Sequence, residues 1–192
     1  MNPTQYSRHC RTNHPSNYST QELERLHRRF DRMEALYGQR DHPSTESSMP
    51  HEDDPTTIHL WVVPSGRYAY GGVGPGTSSS GWGYSTFNRA SIEGLAETLM
   101  MTEADPVTVY TNSYYLADAL AHRRPLQWAR QHWRYRTGEL RANHDLWSEP
   151  DLLAATFRVS AAYHEPDHLS SEEMARAYEL AMTAVRAEEA LR

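Results

Sequence analysis

Two short stretches of the sequence hold residues that could bind a divalent metal ion. Ser85–Met101 ends a strand-like run and enters a predicted helix that carries Glu93 in its first turns, and Val107–Thr111 is a β-branched strand followed by Asn112. Hard divalent cations are bound by oxygen ligands, and charged ligands hold them more tightly. Glu93 therefore offers a charged ligand, whereas Asn112 offers only the carbonyl of a neutral amide.

A second set of ionisable side chains lies in the segment His164-Glu165-Pro166-Asp167-His168. A zinc site needs three or four converging ligands, and Pro166 disrupts the helical facing of the two histidines. We expect a solvated loop here. A metal site, and a role for His164 as a vestigial residue of a catalytic loop, are the alternatives.

Two further patterns do not support catalysis. The glycine-rich run Gly71–Gly76 is followed by another strand rather than by a helix, so it does not have the form of a dinucleotide-binding loop. Ser65 lacks the Gly-X-Ser-X-Gly elbow of hydrolases, and Cys10 lies in a polar leader. We interpret the glycines as hairpin and loop residues and expect no serine or cysteine nucleophile.

Positive charge is concentrated in Ala121–Arg141, which holds six arginines and one glutamate. Arginine binds phosphate through paired hydrogen bonds, and tryptophan stacks on bases or sugars. The segment predicts either a nucleic-acid contact or a solvated helix face with two core tryptophans. The candidate contact residues are Arg123, Arg124, Trp128, Arg130, Trp133, Arg134 and Arg136.

The composition bounds the class of protein. The chain has 192 residues, a net charge of −6 and a hydrophobic fraction of 38%, which is the size of one domain with an extension. The negative charge argues against bulk affinity for nucleic acid, although screening limits the reach of an exposed charge to about 10 Å, so local charge decides phosphate contact. A single cysteine, no membrane-length apolar run and no signal-peptide core predict a cytoplasmic or nuclear protein that is not secreted.

The sequence predicts four parts. Residues 1–20 form a polar, disordered leader, 21–38 an amphipathic helix, 39–56 a linker rich in proline, serine and acid, and 57–192 a globular domain. The apolar stripe of the helix predicts packing on its own domain, or contact with a protein partner or a second copy. The stripe consists of Leu23, Leu26, Phe30, Met33 and Tyr37.

The globular part shows an alternation of strands and helices. In chain order we predict strands at Ile58–Val63, Arg67–Gly74 and Gly81–Phe87, a helix at Ala90–Met101, a strand at Val107–Thr111, a helix at Tyr114–Ala121, a basic helix at Pro125–Tyr135, a strand within Leu152–Ala162 and a long helix at Ser170–Arg192. The first three strands form an antiparallel meander. The order predicts an α/β domain with a five-stranded mixed sheet flanked by helices.

Several pieces, in order from Ile58 to about Met182, resemble the type I ribonuclease H family. Asn88-Arg89 ahead of Glu93 resembles the family's Asn-Asn-Arg-Met-Glu with two residues inserted, Thr111-Asn112-Ser113-Tyr114-Tyr115 resembles Thr-Asp-Ser-Gln-Tyr, Trp128 and Trp133 lie in the region of the basic substrate-handle helix, Asn143-His-Asp-Leu-Trp147 resembles Asn-Val-Asp-Leu-Trp, and His164 takes the place of a loop histidine. The resemblance implies a ribonuclease H-like fold.

The family clamps two magnesium ions between four carboxylates, and the ions activate a water and stabilise the leaving oxygen of an RNA phosphodiester. The resemblance places at these four positions the turn Val63–Gly66, Glu93, Asn112 and a residue near Met174, with Glu173 as the adjacent acid. No Asp or Glu occurs between Pro55 and Ile92. One carboxylate of the four is retained, so the resemblance implies a domain that has lost its metal ions and its hydrolysis.

We therefore predict a catalytically inactive domain, without a cofactor, that binds RNA/DNA hybrid or double-stranded RNA through the Arg/Trp helix. Glu93, Asn112, His164 and Glu173 are then vestiges of a catalytic site. One alternative is a protein-interaction scaffold without nucleic-acid binding, which the net charge of −6 favours. The other is an active RNA–DNA hybrid endonuclease whose magnesium or manganese site is rebuilt from Glu93, Asn112, Glu173 and Asp167.

Overall fold

A computed structural model describes residues 57–65, 67–102, 106–165 and 171–191. The leader, amphipathic helix and linker predicted for residues 1–56 lie outside the described residues, as does Asp167. The predicted partner-binding stripe of the amphipathic helix therefore stays a prediction.

Within the described ranges the chain forms five strands and six helices. They are β1 (Thr57–Ser65), β2 (Arg67–Gly74), β3 (Thr77–Tyr84), α1 (Phe87–Met100), β4 (Val107–Thr111), α2 (Tyr114–Ala121), α3 (Arg124–Arg130), α4 (His144–Trp147), α5 (Pro150–Ala155), β5 (Val159–Tyr163) and α6 (Glu172–Glu189). None of these helices has the length and apolar character needed to cross a bilayer.

The strands form one mixed sheet in the order β3-β2-β1-β4-β5. β1 pairs antiparallel with β2, and β2 with β3, whereas β4 is parallel to both β1 and β5. Leu60 lies opposite Thr111, and Thr111 lies opposite Tyr163. The carboxyl ends of β1, β4 and β5 therefore meet at one edge of the sheet, and the predicted five-stranded mixed sheet is confirmed.

β1 is the central strand and is buried on both faces. Because side chains alternate along a strand, Leu60 and Val62 pack into a core with α1 and α2, whereas Trp61 and Val63 pack into a second core with α6. All four side chains are at most 6% exposed. The sheet thus has helices on both faces, as a strand this apolar requires.

α6 packs tightly against β2 because Gly71 has no side chain. A Cβ added at Gly71 would lie 2.1 Å from the carbonyl oxygen of Ala177, so the backbones of the helix and the strand are in direct contact. α6 begins at Glu172, within the predicted helix Ser170–Arg192, and the Oγ of its cap residue Ser171 accepts a hydrogen bond from the N–H of Met174 at 3.2 Å.

One strand boundary predicted from the sequence was wrong. β3 begins at Thr77 rather than Gly81, since Thr77 and Ser79 pair with Gly74 and Gly72 of β2. The small residues at the start of β3 conceal a strand that pairing with β2 imposes. β5, at Val159–Tyr163, lies within the predicted stretch Leu152–Ala162 apart from its last residue, and Pro150–Ala155 ahead of it forms a short helix.

The basic helix predicted at Pro125–Tyr135 was also too long. α3 ends at Arg130, because His132 and Trp133 have φ values of 52° and 59°, which an α-helix cannot contain. The chain then turns back, and Arg134 forms an isolated antiparallel bridge with Leu140.

Candidate functional site

The side chain of Asn112 is bonded to the main chain of the central strand. Its Oδ1 accepts a hydrogen bond from the N–H of Val62 at 3.0 Å, and its Nδ2 donates one to the carbonyl of Val62 at 2.8 Å. The backbone pairing between β1 and β4 stops at Leu60 and Thr111, so the amide adds one more rung to the ladder. An ionised carboxylate could accept the first bond but could not donate the second.

The residues on either side of Asn112 build the turn from β4 into α2. The Oγ1 of Thr111 accepts from the N–H of Ser113 at 3.1 Å, and the Oγ of Ser113 accepts from the N–H of Leu116 at 3.3 Å, which caps the helix. The Thr-Asn-Ser pattern therefore has a structural cause at all three positions.

His164 lies beside Asn112 at the end of β5. Its N–H donates to the carbonyl of Thr111 at 2.8 Å, and its ring lies against that of Tyr110 in an edge-to-face contact at 5.6 Å. The structure thus brings together two of the four predicted vestigial residues. We call Asn112, Tyr114, Tyr163 and His164 the strand-end site.

Two exposed tyrosines complete the strand-end site, and neither belongs to the residues predicted from the sequence to form a site. Tyr114 is 69% exposed and Tyr163 is 43% exposed. Their ring centroids are 5.7 Å apart, with the ring planes at 80°. The register of β4 and β5, which sets Thr111 opposite Tyr163, is what brings them together.

Glu93 belongs to a different surface. It lies one turn after Arg89 on α1, and the guanidinium of Arg89 is 3.7 Å from its carboxylate. The same guanidinium is 2.8 Å from the carboxylate of Asp145 in α4. Arg89 therefore links Glu93 of α1 to Asp145 of α4.

This surface is a groove of about 470 Å³ between β3, α1 and α5. We call it the acidic groove, and its polar lining includes Glu93, Glu97, Glu149 and Asp151, together with Arg89 and Arg158. The aromatic side chains of Trp82 and Tyr84 form its β3 wall.

Burial and mutual repulsion act on the carboxylates of the acidic groove. Burial raises the pKa of Glu93; Arg89 opposes this shift, and Glu97, Asp145 and Glu149 add to it.

The pKa values of two neighbouring carboxyl groups are shifted in the same direction. Burial, followed by the charges of Asp151 and Asp145, raises the pKa of Glu149. Burial also raises the pKa of Glu97, although a hydrogen bond from the hydroxyl of Tyr70 opposes the shift.

The fourth predicted position does not supply a ligand within a cluster. Met174, in the first turn of α6, is 1% exposed and packs in the second core. Glu173, in the same turn, is exposed. Among the described residues, no group of three or more His, Cys, Asp or Glu side chains is arranged to hold a metal ion. The donors of the strand-end site, an amide engaged by β1 and a histidine, do not fit a pair of magnesium ions.

Arg124, Trp128 and Trp133, which belong to the predicted nucleic-acid contacts, pair or pack within the domain. Arg124 binds Asp118 through two nitrogens, at 2.5 and 2.9 Å, and this hydrogen bonding lowers the pKa of Asp118 and raises that of Arg124. Trp128 stacks on Tyr115 and meets Trp147 edge-to-face, each with centroids 6.4 Å apart. Trp133 is partly buried against the same core.

The remaining arginines lie on or beside an exposed loop that is held in shape. The guanidinium of Arg141 lies over the rings of Trp128 and Tyr135, at 5.2 and 4.5 Å, and donates to Oε1 of Gln131 at 3.0 Å. Arg134 donates to the carbonyl of Gly138 at 2.5 Å. Residues 130–141 thus form what we call the basic loop.

The basic loop presents Arg130, Arg134 and Arg136 to solvent, with Glu139 as its one acidic residue. Arg123 precedes α3 in the left-handed region, with φ at 48°, and is partly exposed. The sequence did not reveal that Arg141, outside the predicted contact set, anchors the loop.

Neither a protein-family model nor a curated protein matches the chain. Solved structures do. A foamy viral protease-reverse transcriptase in complex with dsDNA matches with a TM-score of 0.56 and 16% identity, over 73% of this chain and 99% of that one.

Two further structures match at a similar level. A foamy viral protease-reverse transcriptase in complex with RNA/DNA hybrid gives a TM-score of 0.53 and 14% identity, over 77% of this chain and 23% of that one. LC9-RNase H1, described as a type 1 RNase H with the type 2 active-site motif, matches with a TM-score of 0.51 and 19% identity, over 73% of this chain and 75% of that one.

Identities below 20% carry information about the fold alone. The likeness agrees with the observed strand order and with helices on both faces of the sheet. The chain therefore has a ribonuclease H-like fold.

Proposed function

We propose that this ribonuclease H-like domain binds RNA/DNA hybrid or double-stranded RNA without cleaving it. The observation that carries the proposal is the amide of Asn112, which uses its acceptor and its donor on the main chain of Val62. The residue at the end of β4 therefore stabilises the sheet instead of supplying a negative charge for a metal ion.

The register of α1 supports the same conclusion at a second position. α1 is uninterrupted, so no residue is looped out between Arg89 and Glu93. In the family's motif the glutamate follows the arginine by two positions, and here that position is Ser91, which is fully buried and donates to the carbonyl of Phe87 at 2.8 Å. Glu93 lies roughly 200° further around the helix.

The first and fourth of the family's four carboxylate positions also carry no charge in this chain, when it is aligned as the resemblance implies. The first position falls in the turn Val63–Gly66, which contains no acidic residue, and Val63 is buried in the second core. Met174 takes the fourth position in a hydrophobic core. A pair of divalent ions needs several anionic oxygens, so this set argues against hydrolysis by metal-activated water.

The basic loop is the surface best suited to a nucleic-acid backbone. Arg130, Arg134 and Arg136 are exposed on a loop that Arg141 holds in place, so less conformational entropy is lost when phosphates bind. Structural neighbours of this fold have been described in complex with dsDNA and with RNA/DNA hybrid. We therefore narrow the predicted contact set to the three loop arginines, with Arg123 at its margin.

Binding is tested with the full chain by gel shift against RNA/DNA hybrid, duplex RNA and duplex DNA over a salt series. Each phosphate contact contributes roughly 0.9 to the slope of log affinity against log salt. We expect the triple change Arg130→Ala, Arg134→Ala and Arg136→Ala to weaken binding and to reduce the slope. Arg176→Ala, on the exposed face of α6, is the matched control. An unchanged affinity in the triple variant would remove the basic loop from the proposal.

Metal binding is tested separately by calorimetric titration of Mn²⁺ into the full chain. We expect no saturable binding that depends on Asn112 or Glu93, since the strand-end site contains no carboxylate and Glu93 lies on a different surface. Two ions per chain, lost on Asn112→Ala, would show that the strand-end site still holds metal.

A protein-interaction scaffold is the second candidate function. The net charge of −6 and the acidic groove favour it, because both repel phosphate. Failure of the wild-type chain to bind any of the three nucleic acids at low salt would favour this candidate over the first.

A further inference from the structure

We propose that Tyr114 and Tyr163 form a stacking platform for one unpaired nucleobase. The proposal rests on the proposed nucleic-acid binding and states which part of the ligand meets the strand-end site. Tyr114 is 69% exposed and Tyr163 is 43% exposed, and their rings stand at 80° with centroids 5.7 Å apart. Two rings at this angle form a corner in which a planar ring can stack on one face and meet the edge of the other.

The backbone fixes both tyrosines in place. Tyr114 is the first residue of α2, directly after the cap formed by Ser113, and Tyr163 is the last residue of β5, paired with Thr111. Little conformational entropy is therefore lost at the platform when a ligand binds.

The position of the platform is one where open α/β sheets bind ligands. β1 and β4 are parallel neighbours, and the chain leaves β1 towards β2 but leaves β4 towards β5. Ligands of such sheets bind beyond the carboxyl ends of the strands at this switch point. Tyr114 follows β4, which borders this switch point, and Tyr163 ends β5, the next strand beyond β4, so the platform lies at the carboxyl ends of β4 and β5 beside the switch point.

The chemistry of the surroundings favours a nucleobase over a protein surface. A protein interface surrounds its central aromatic residues with further contacts that exclude water. The other large hydrophobic side chains that the structure shows exposed belong to β3, the end of α1, the basic loop and the C-terminal end; they are Trp82, Met100, Met101, Tyr135, Leu140 and Leu191. Among the described residues the two rings therefore belong to no broad apolar patch, and a pair of rings of this size matches one planar ring.

The base must be unpaired, because both faces of a base within a duplex are covered by its stacked neighbours. Single-stranded segments, bulges and frayed ends expose a face. The platform therefore predicts that this domain prefers a junction, where the basic loop meets duplex and the tyrosines meet a free base, over a blunt duplex.

The test uses the full chain and fluorescently labelled oligothymidylate, with affinity measured by anisotropy. We expect the double variant Tyr114→Ala and Tyr163→Ala to bind about 5- to 150-fold more weakly, which corresponds to about 1–3 kcal/mol of stacking at 1.4 kcal/mol per tenfold. Tyr114→Phe keeps the ring and should retain affinity. Trp82→Ala removes an aromatic side chain of equal exposure, at 43%, from β3 and is the matched control.

The outcomes separate this proposal from the proposed function. If hybrid binds and depends on the basic loop while oligothymidylate does not bind, or binds equally to the double variant, the platform is overturned and the proposed function stands. If neither nucleic acid binds the wild-type chain, both fall.

Photo-crosslinking gives an independent measurement. Oligonucleotides that carry 5-iodouracil react with a stacked aromatic side chain, and the peptide that carries the adduct is identified by mass spectrometry. We expect adducts on Tyr114 or Tyr163. Adducts confined to the basic loop would contradict the platform.

Discussion

The strand-end site and the acidic groove differ in how their polar groups are satisfied. At the strand ends, Asn112 bonds to Val62 and the N–H of His164 bonds to Thr111. In the acidic groove, Glu93 and Glu149 have raised pKa values because burial and neighbouring carboxylates disfavour their charged forms. The clustered carboxylates of the acidic groove thus lie on α1 and at α5, on a different surface from Asn112.

The difference offers a physical reason for the proposed loss of metal-dependent hydrolysis. A buried carboxylate at the end of β4 would be costly without a metal ion, since an uncompensated buried charge is strongly unfavourable. An amide at Asn112 removes that cost and gains two hydrogen bonds. The acidic groove tolerates its charges because Glu93 and Glu149 are partly exposed and Arg89 neutralises part of the field.

Replacing the amide of Asn112 should have the largest effect on stability. Asn112→Asp loses the donor to the carbonyl of Val62, which is left unsatisfied, so we expect a loss of about 2–3 kcal/mol in the free energy of unfolding at neutral pH. Urea denaturation measures it. Asn88→Asp, in the first turn of α1 where a negative charge is favourable, should change stability by no more than about 0.5 kcal/mol.

The loss at Asn112 should also depend on pH. Burial raises the pKa of a carboxyl at this position, and the protonated form can donate again. The difference in the free energy of unfolding between Asn112→Asp and the wild type should therefore reach its full size above that pKa and shrink as the pH falls below it. A variant as stable as the wild type at neutral pH would show that the amide rung is not needed.

Removing Arg89 from the acidic groove should have a smaller effect on stability. In Arg89→Met the carboxylates of Glu93 and Asp145 lose their shared partner, and we expect a loss of about 1 kcal/mol at low salt, since the pairs are partly exposed. High salt screens the remaining repulsion and should reduce the loss. Arg176→Met on α6 provides the control, and equal losses in the two variants would contradict the role of the groove.

Neutralising one carboxylate should have the smallest effect and the opposite sign. Burial, Asp151 and Asp145 all raise the pKa of Glu149, so its charged form opposes folding at neutral pH. We expect Glu149→Gln to stabilise the domain by up to about 0.5 kcal/mol at neutral pH.

The pH dependence of this gain follows from linkage. The folded chain holds the proton of Glu149 to higher pH than the unfolded chain, so the wild type loses stability as the pH rises from the ordinary carboxyl pKa through the raised one. Below that window both forms are protonated and the advantage of Glu149→Gln should vanish. Thermal unfolding across the pH range measures it, and a constant advantage at every pH would contradict the shift.

The fold could be predicted from the sequence because its main signals are local. β2, β4 and α2 have the predicted boundaries, since alternating or β-branched runs and a Thr-Asn-Ser cap determine them within a few residues. The extra length of β3 depends on pairing with Gly72 and Gly74 of β2, and the end of α3 depends on positive φ values at His132 and Trp133. Such features follow from tertiary contacts that no short window contains.

The candidate site could be predicted only in part for the same reason. Asn112 was identified because it follows a predicted strand, and His164 because it takes the place of the family's loop histidine; the sheet register brings the two together. The bond from Asn112 to Val62 joins residues 50 positions apart, and the anchoring of Arg141 depends on a loop closure. Neither leaves a periodic trace in the sequence.

Cleavage of a defined RNA/DNA hybrid tests the central claim most directly. The full chain is incubated with labelled hybrid in Mg²⁺ or Mn²⁺, alongside Glu93→Gln, and acid-soluble RNA is measured. We expect the wild type and Glu93→Gln to give the same background release, although both bind the hybrid. Turnover in the wild type that is lost in Glu93→Gln would show that a metal-dependent site survives and would contradict the account.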